Sequence, residues 1–183
     1  MPDQYEISTL LVVVPLGAVA FAVLLWRLHR AAGLTLLRVA VCGVLCVYLA
    51  GVIANSVFPI VIGGSGDRPP WWVGLNLVPL ANTDLADMLQ NVLVFAPLGM
   101  LLPLVARVDS LPRVLLWGFL LSLTMEVLQF ANALTAHGGH VADINDLLAN
   151  TIGAPLGYGV FRLARLVPVL DRLIRAATWP APR

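Results

Sequence analysis

Apolar residues are concentrated in five long stretches, at about 7–26, 39–62, 88–106, 113–132 and 143–165. A helix needs about 20 largely apolar residues to cross a hydrocarbon core of about 30 Å. The first stretch follows an acidic leader, MPDQYE, where a secretory signal would be basic, so we expect a spanning helix there and not a cleaved signal. The pattern predicts an all-α polytopic membrane helix bundle of about five transmembrane helices, forming a single integral membrane domain over residues 1–183.

The composition supports this interpretation. The chain is 60% hydrophobic and only 11% charged, whereas soluble domains carry about 25% charged residues. A net charge of +1 gives no indication of nucleic-acid binding, and we expect none. The expected location is the plasma membrane of the cell, crossed several times.

The arginines predict the orientation of the bundle, because the chain contains no lysine. If five helices alternate in direction, only Arg68 falls on one side. The positive-inside rule then places the amino terminus outside and the carboxyl terminus inside. The arginines of the inner side are Arg27, Arg30, Arg38, Arg107, Arg113, Arg162, Arg165, Arg172, Arg175 and Arg183.

The fifth apolar stretch carries a stripe of polar and small residues on one helical face. It consists of Asp143, Asp146, Asn150, Gly153 and Gly157, which follow the spacing of a single helix face. The two glycines leave room for close approach of a neighbouring helix. Asn145 points the other way, and we expect it to be a solvated residue at the start of the helix.

The third and fourth stretches carry matching polar positions. Ser122, Glu126 and Gln129 share one face of the fourth helix, and Asn91 lies near the outer end of the third. A charge at a helix centre costs about 2.5–3.5 kcal/mol on insertion scales, so Glu126 must be paired, hydrated or protonated. We therefore expect the three helices to bring one set of side chains together in the outer half of the bundle: Asn91, Glu126, Gln129, Asp146 and Asn150.

Three outer features allow more than one interpretation. Asp143 is equally consistent with a helix cap and with a binding residue. His137 and His140 could ligate a metal near the acidic residues, although a loop histidine is more often only solvated. Trp71 and Trp72 suit the headgroup zone, and the prolines at 69, 70 and 79 predict a non-helical segment that covers the ends of the helices.

Four ordered motifs resemble the VanZ-like family, whose founding member is associated with resistance to the glycopeptide antibiotic teicoplanin. They are LNLVPL, NVLVFAPLGMLLP, SLTMEVLQF and ADINDLLANTIGAPLGYG, and they cover a core of about residues 75–160. The resemblance makes Asn76, Asn91, Glu126, Gln129, Asp143, Asp146 and Asn150 characteristic positions of the family. Many members have arginine where this chain has His140, so any pairing role that needs a permanent charge is altered here.

The resemblance implies a role in the bacterial cell envelope. Our leading hypothesis is an outer-leaflet polar pocket that engages a membrane lipid or a lipid-linked cell-wall precursor. Its binding residues would be Asn91, Glu126, Gln129, Asp143, Asp146 and Asn150. One alternative is a membrane-embedded enzyme that acts on such precursors, and another is a structural accessory subunit. The sequence assigns no catalytic residue, cofactor, metal or oligomeric state.

Overall fold

The computed structural model describes residues 5–62, 70–81, 84–135 and 141–180. Within these ranges the chain forms a helical bundle with two short strand pairs. The helices are α1 (Thr9–Arg30), α2 (Leu36–Val57), α3 (Leu85–Val105), α4 (Leu111–Thr135), α5 (Ile144–Ala164) and α6 (Pro168–Ala177). The strands are β1 (Tyr5–Ile7), β2 (Ile60–Ile62), β3 (Leu75–Asn76) and β4 (Ala142–Asp143), and a 3-10 turn covers Trp71–Gly74.

The helices α1 to α4 are each long and apolar enough to cross a membrane. This confirms the all-α membrane bundle and the expectation of a multi-pass membrane protein. The helix α5 is 21 residues long, as is α3, but it is more polar because of its stripe and is not one of these four. The count of five spans and the orientation therefore stay predictions.

The second helix is shorter than the apolar stretch that predicted it. It ends at Val57 and not near residue 62, because a residue that precedes proline, here Phe58, disfavours helical backbone. Beyond Pro59 the chain forms β2, which pairs antiparallel with β1, Tyr5 opposite Ile62. The start of α1 and the end of α2 therefore lie at the same end of the bundle.

The central pair of the bundle is α3 and α5, which approach each other at glycines. A side chain at Gly153 would collide with the carbonyl oxygen of Val92, and one at Gly157 with the carbonyl oxygen of Ala96. This confirms the predicted small-residue face of the fifth helix. In α3, 33% of the most apolar window is buried, against 6% in α1, so α1 presents most of its surface to lipid.

The short strands fix the segment between α2 and α3 against the start of α5. The strands β3 and β4 pair parallel, with Leu75 opposite Ala142 and Asn76 opposite Asp143. Just before β3, Gly74 packs against Ala133 of α4. The described part of this segment contains no continuous helix, as its prolines predicted. We call the end of the bundle where α3 and α5 begin the carboxylate end, and the opposite end the arginine end.

Candidate functional site

At the carboxylate end, Glu126 of α4 contacts the first residues of α5. Its Oε2 accepts a hydrogen bond of 2.8 Å from the backbone N–H of Asp143, and the residue is only 8% exposed. Asp143 in turn caps α5, because its Oδ1 accepts a bond of 2.7 Å from the N–H of Asn145. The cap interpretation of Asp143 is therefore satisfied by the geometry, and the same residue still faces Glu126.

Asn145 is not a solvated residue, and that prediction is wrong. The side chain is 0% exposed. Its Oδ1 accepts a bond of 2.6 Å from the N–H of Leu80, and its Nδ2 donates to Asp143 Oδ1 at 2.8 Å. Helix periodicity correctly placed Asn145 on the face opposite the polar stripe. It did not show that the residues preceding α3 fold over that face and bury the side chain.

Asn76 belongs to the same network, although helix periodicity did not single it out. Its Nδ2 donates to Asp143 Oδ2 at 2.8 Å and to the carbonyl oxygen of Ala81 at 3.2 Å. The register of β3 and β4 sets the two side chains opposite each other. The signal available in the sequence was the asparagine of the LNLVPL motif, one of the family's characteristic positions.

A second contact joins α3 to α5. Asn91 Nδ2 donates to Asp146 Oδ1 at 2.6 Å. Asp143 and Asp146 both lie close enough to Glu126 to interact with it electrostatically, and Asp87 does so with Asp146. The carboxylate end thus concentrates acidic groups from three helices, which costs electrostatic repulsion unless a proton, a cation or hydrogen-bond donors offset it.

Gln129 and Asn150 differ from the other predicted residues. Gln129 Oε1 and Asn150 Oδ1 are buried acceptors without a hydrogen-bond partner among the described residues. Ser122, one turn before Glu126, donates at 3.4 Å to the carbonyl oxygen of Leu147. The structure therefore joins Asn91 to Asp146 and Glu126 to the backbone N–H of Asp143, and Gln129 and Asn150 take no part in these two contacts.

A groove of about 200 Å³ is lined by residues of α4, of the start of α5 and of the segment around β3 and β4. Glu126 and Asp143 are its only ionisable lining residues among those described. The other lining residues are apolar: Leu75, Leu77, Leu123, Val127, Phe130, Ala142, Ile144 and Leu147. An apolar groove with two acidic residues in its lining suits an amphipathic ligand.

The described residues do not form a metal centre, since no three histidine, cysteine, aspartate or glutamate side chains group closely enough to hold an ion. His137 and His140, the proposed metal ligands, lie outside the described residues. The sequence reasoning also missed Asn132 of α4, which is 5% exposed. Its Nδ2 donates to the carbonyl oxygens of Val57 and Pro59 at 3.2 and 3.3 Å, joining α4 to the end of α2.

Comparison with known proteins gives two matches. The model of a family described as VanZ/LLP1 matches residues 43–165, which run from within α2 to the end of α5. Protein VanZ of Enterococcus faecium is 36% identical over 105 residues, which is 55% of this chain and 62% of the relative. The match thus spans less than two thirds of that relative's length. No solved structure matches the chain.

Proposed function

Because this chain belongs to the VanZ/LLP1 family, we propose that it acts in the bacterial cell envelope by engaging a lipid-linked component through its carboxylate end. The groove between α4 and α5 is the observation that carries this proposal. Its lining is apolar apart from Glu126 and Asp143. An acyl or prenyl chain fits the apolar lining, and a polar headgroup would then lie beside the two acidic residues.

The chemistry of the end favours a headgroup that donates hydrogen bonds. Carboxylates and amide oxygens are acceptors, and the carboxylate end combines several acidic groups with the unpartnered oxygens of Gln129 and Asn150. Hydroxyl, amide and ammonium groups donate hydrogen bonds and therefore suit these acceptors. Sugar and peptide portions of lipid-linked cell-wall precursors have such donors.

The segment before α3 supports contact with lipid. Trp71 and Trp72 are 59% and 60% exposed, with their rings in a T-shaped arrangement 5.8 Å apart. Val73 and Leu77, close by in sequence, are also exposed. Tryptophan is enriched at membrane interfaces, so this surface suits the headgroup zone next to the groove. On the predicted orientation, that zone belongs to the outer leaflet.

A structural accessory role is the second candidate, and one observation favours it. Asn91 and Asp146 satisfy each other across α3 and α5 at 2.6 Å, as residues that only join helices would do. Such interhelical hydrogen bonds contribute about 0.6–2 kcal/mol in membranes. For this candidate the negative charge is dispensable, whereas for headgroup binding it is required.

Amide substitutions separate the two candidates. Glu126→Gln and Asp146→Asn keep the shape and remove the charge. We expect both variants to reach the membrane in wild-type amounts and to lose the envelope phenotype. The assay implied by family membership is susceptibility to teicoplanin-type glycopeptides in a host without other family members. Protein amount is measured by immunoblotting of membrane fractions.

Asp84→Asn is the matched control. Asp84 caps α3 at the same end of the bundle through a bond of 3.1 Å from the N–H of Ala86, and asparagine caps equally well. Asp84 does not line the groove, and unlike Asp146 it is not among the acidic groups that interact with Glu126, so this variant should confer the same resistance as the wild type. Full protection by both Glu126→Gln and Asp146→Asn would instead establish the accessory role.

A further inference from the structure

The arginine end encloses a second cavity, of about 430 Å³. Four segments that are distant in sequence build its wall: the start of α2, the loop after α3, the end of α5, and α6 with the residues that follow. Each contributes one arginine, namely Arg38, Arg107, Arg165 and Arg175. The tertiary fold therefore brings four arginines to the lining of one cavity, at the end of the bundle opposite the groove.

Two carboxylates offset part of this charge. Asp171 of α6 accepts from Arg165 Nε at 3.2 Å and forms an ion pair with Arg175. Asp109, which also lines the cavity, lies 3.8 Å from Arg165 Nη1. These pairs involve only two of the four arginines.

Arg38 and Arg107 have no ion-pair partner among the described residues. Arg38 Nη1 donates to the carbonyl oxygen of Gly33 at 3.0 Å, and its Nε is buried without a partner. A buried charged donor that lacks an acceptor is costly. Four guanidinium groups against two carboxylates leave the cavity with an excess of positive charge.

The surroundings of the cavity indicate where its ligand comes from. In α6, Asp171 is turned toward the bundle, while Leu170 and Leu173 are 41% and 53% exposed. Such an amphipathic helix suits a position along the membrane surface. Trp179 lines the cavity and is held by a bond of 2.8 Å from its backbone N–H to the carbonyl oxygen of Leu104. The cavity thus lies beside a helix that fits the level of lipid headgroups.

We infer that this cavity binds a phosphate group and that an anionic phospholipid headgroup supplies it. The planar guanidinium fork matches phosphate oxygens in pairs, and a cavity of about 430 Å³ falls within the size of small-molecule sites. Free inorganic phosphate shares this chemistry, and the experiment below separates the two sources. The inference does not rest on the function proposed for the carboxylate end.

The test is calorimetric titration of the purified full chain in neutral detergent. Three probes are compared: short-chain phosphatidic acid, short-chain phosphatidylcholine and inorganic phosphate. We expect saturable binding of phosphatidic acid, at least about tenfold tighter than binding of either other probe. Inorganic phosphate that binds as tightly as the lipid would overturn the lipid source. No saturable binding of any probe would overturn the site itself.

Matched double variants assign the binding to the cavity. Arg38→Gln with Arg107→Gln should weaken phosphatidic acid binding about tenfold. Arg113→Gln with Arg172→Gln removes the same charge from two exposed positions at the same end that do not line the cavity, and it should change the affinity less than twofold. Equal weakening of phosphatidic acid binding by both double variants would show that only the overall charge matters, and it would contradict the proposal. Arg107→Gln alone, at an exposed loop position, provides the same comparison against Arg113→Gln if the first double variant fails to fold.

Discussion

The two ends of this bundle use polar residues in opposite ways. At the carboxylate end the polar groups are buried: Glu126 is 8% exposed and Asn145 is 0% exposed. At the arginine end the ion pair of Arg165 with Asp109 joins side chains that are 35% and 53% exposed. Exposed ion pairs contribute about 0–1 kcal/mol, whereas hydrogen bonds to buried charged groups contribute about 1.5–3 kcal/mol.

The difference shows what each end is fitted to do. The buried network at the carboxylate end fixes the segment before α3 onto the start of α5, so a groove of defined shape results. The arginine end includes two arginines, Arg38 and Arg107, that have no ion-pair partner among the described residues, so their charge remains available to an anion. One bundle thus carries a largely apolar groove beside acidic residues at one end and an arginine-lined cavity at the other.

The comparison of the two ends depends first on the predicted orientation, with the carboxylate end outside and the arginine end inside. Single cysteines at Val73 or Val78 should react completely with an impermeant thiol reagent in intact cells, and those at Ala106 or Ala176 should not. The two native cysteines are buried and are replaced by alanine in all variants. Labelling of Ala176→Cys without permeabilisation would reverse the orientation, and the groove would then face the inner leaflet.

Both ends depend on the close contact of α3 with α5. Gly157→Ala places a methyl group against the backbone of Ala96, and we expect a loss of about 2–3 kcal/mol in the free energy of unfolding. Gly159→Ala on the same helix meets no neighbouring atom within 4 Å. It should be neutral or stabilise by up to about 1 kcal/mol through helix propensity. Unfolding in one detergent measures the free energy of unfolding of both variants. Equal changes would contradict the close contact of α3 with α5 at Gly157.

The smallest effects compare the two polar networks directly. Asn145→Ala removes a fully buried side chain that accepts from the N–H of Leu80 and donates to Asp143, which should cost about 2 kcal/mol. Tyr158→Phe at the arginine end removes a hydroxyl that donates to the exposed carboxylate of Asp109 at 3.0 Å and accepts from Arg162 at 3.1 Å, which should cost about 1 kcal/mol. Chemical unfolding of the two variants and the wild type measures both losses in the free energy of unfolding. A larger loss for Tyr158→Phe than for Asn145→Ala would contradict the greater contribution assigned to the buried network.

Much of the site was predictable because helix periodicity determines which residues share a face. The periodicity correctly indicated that the stripe on α5 faces protein, and the bond between Asn91 and Asp146 fits that prediction. The contact of Glu126 with the backbone N–H of Asp143 was not predicted, because it involves the main chain at the start of α5. Asn145 was misread because periodicity gives a direction within one helix and says nothing about an irregular segment that folds over it. Asn76 was missed by the same reasoning, since it lies in a two-residue strand too short to produce a pattern.

The sequence by itself determined the class of protein. Its apolar stretches are long enough to cross a membrane, and in hydrocarbon a single chain segment can satisfy its own backbone hydrogen bonds only as a helix. It also determined the small-residue contact of α5, because only glycine permits backbone approach at that distance. The tertiary structure decided the rest. The pairing of β3 with β4 joins residues 67 positions apart, and four segments supply the arginines of the second cavity. Such long-range neighbours arise from packing and backbone hydrogen bonds, which no local periodicity encodes.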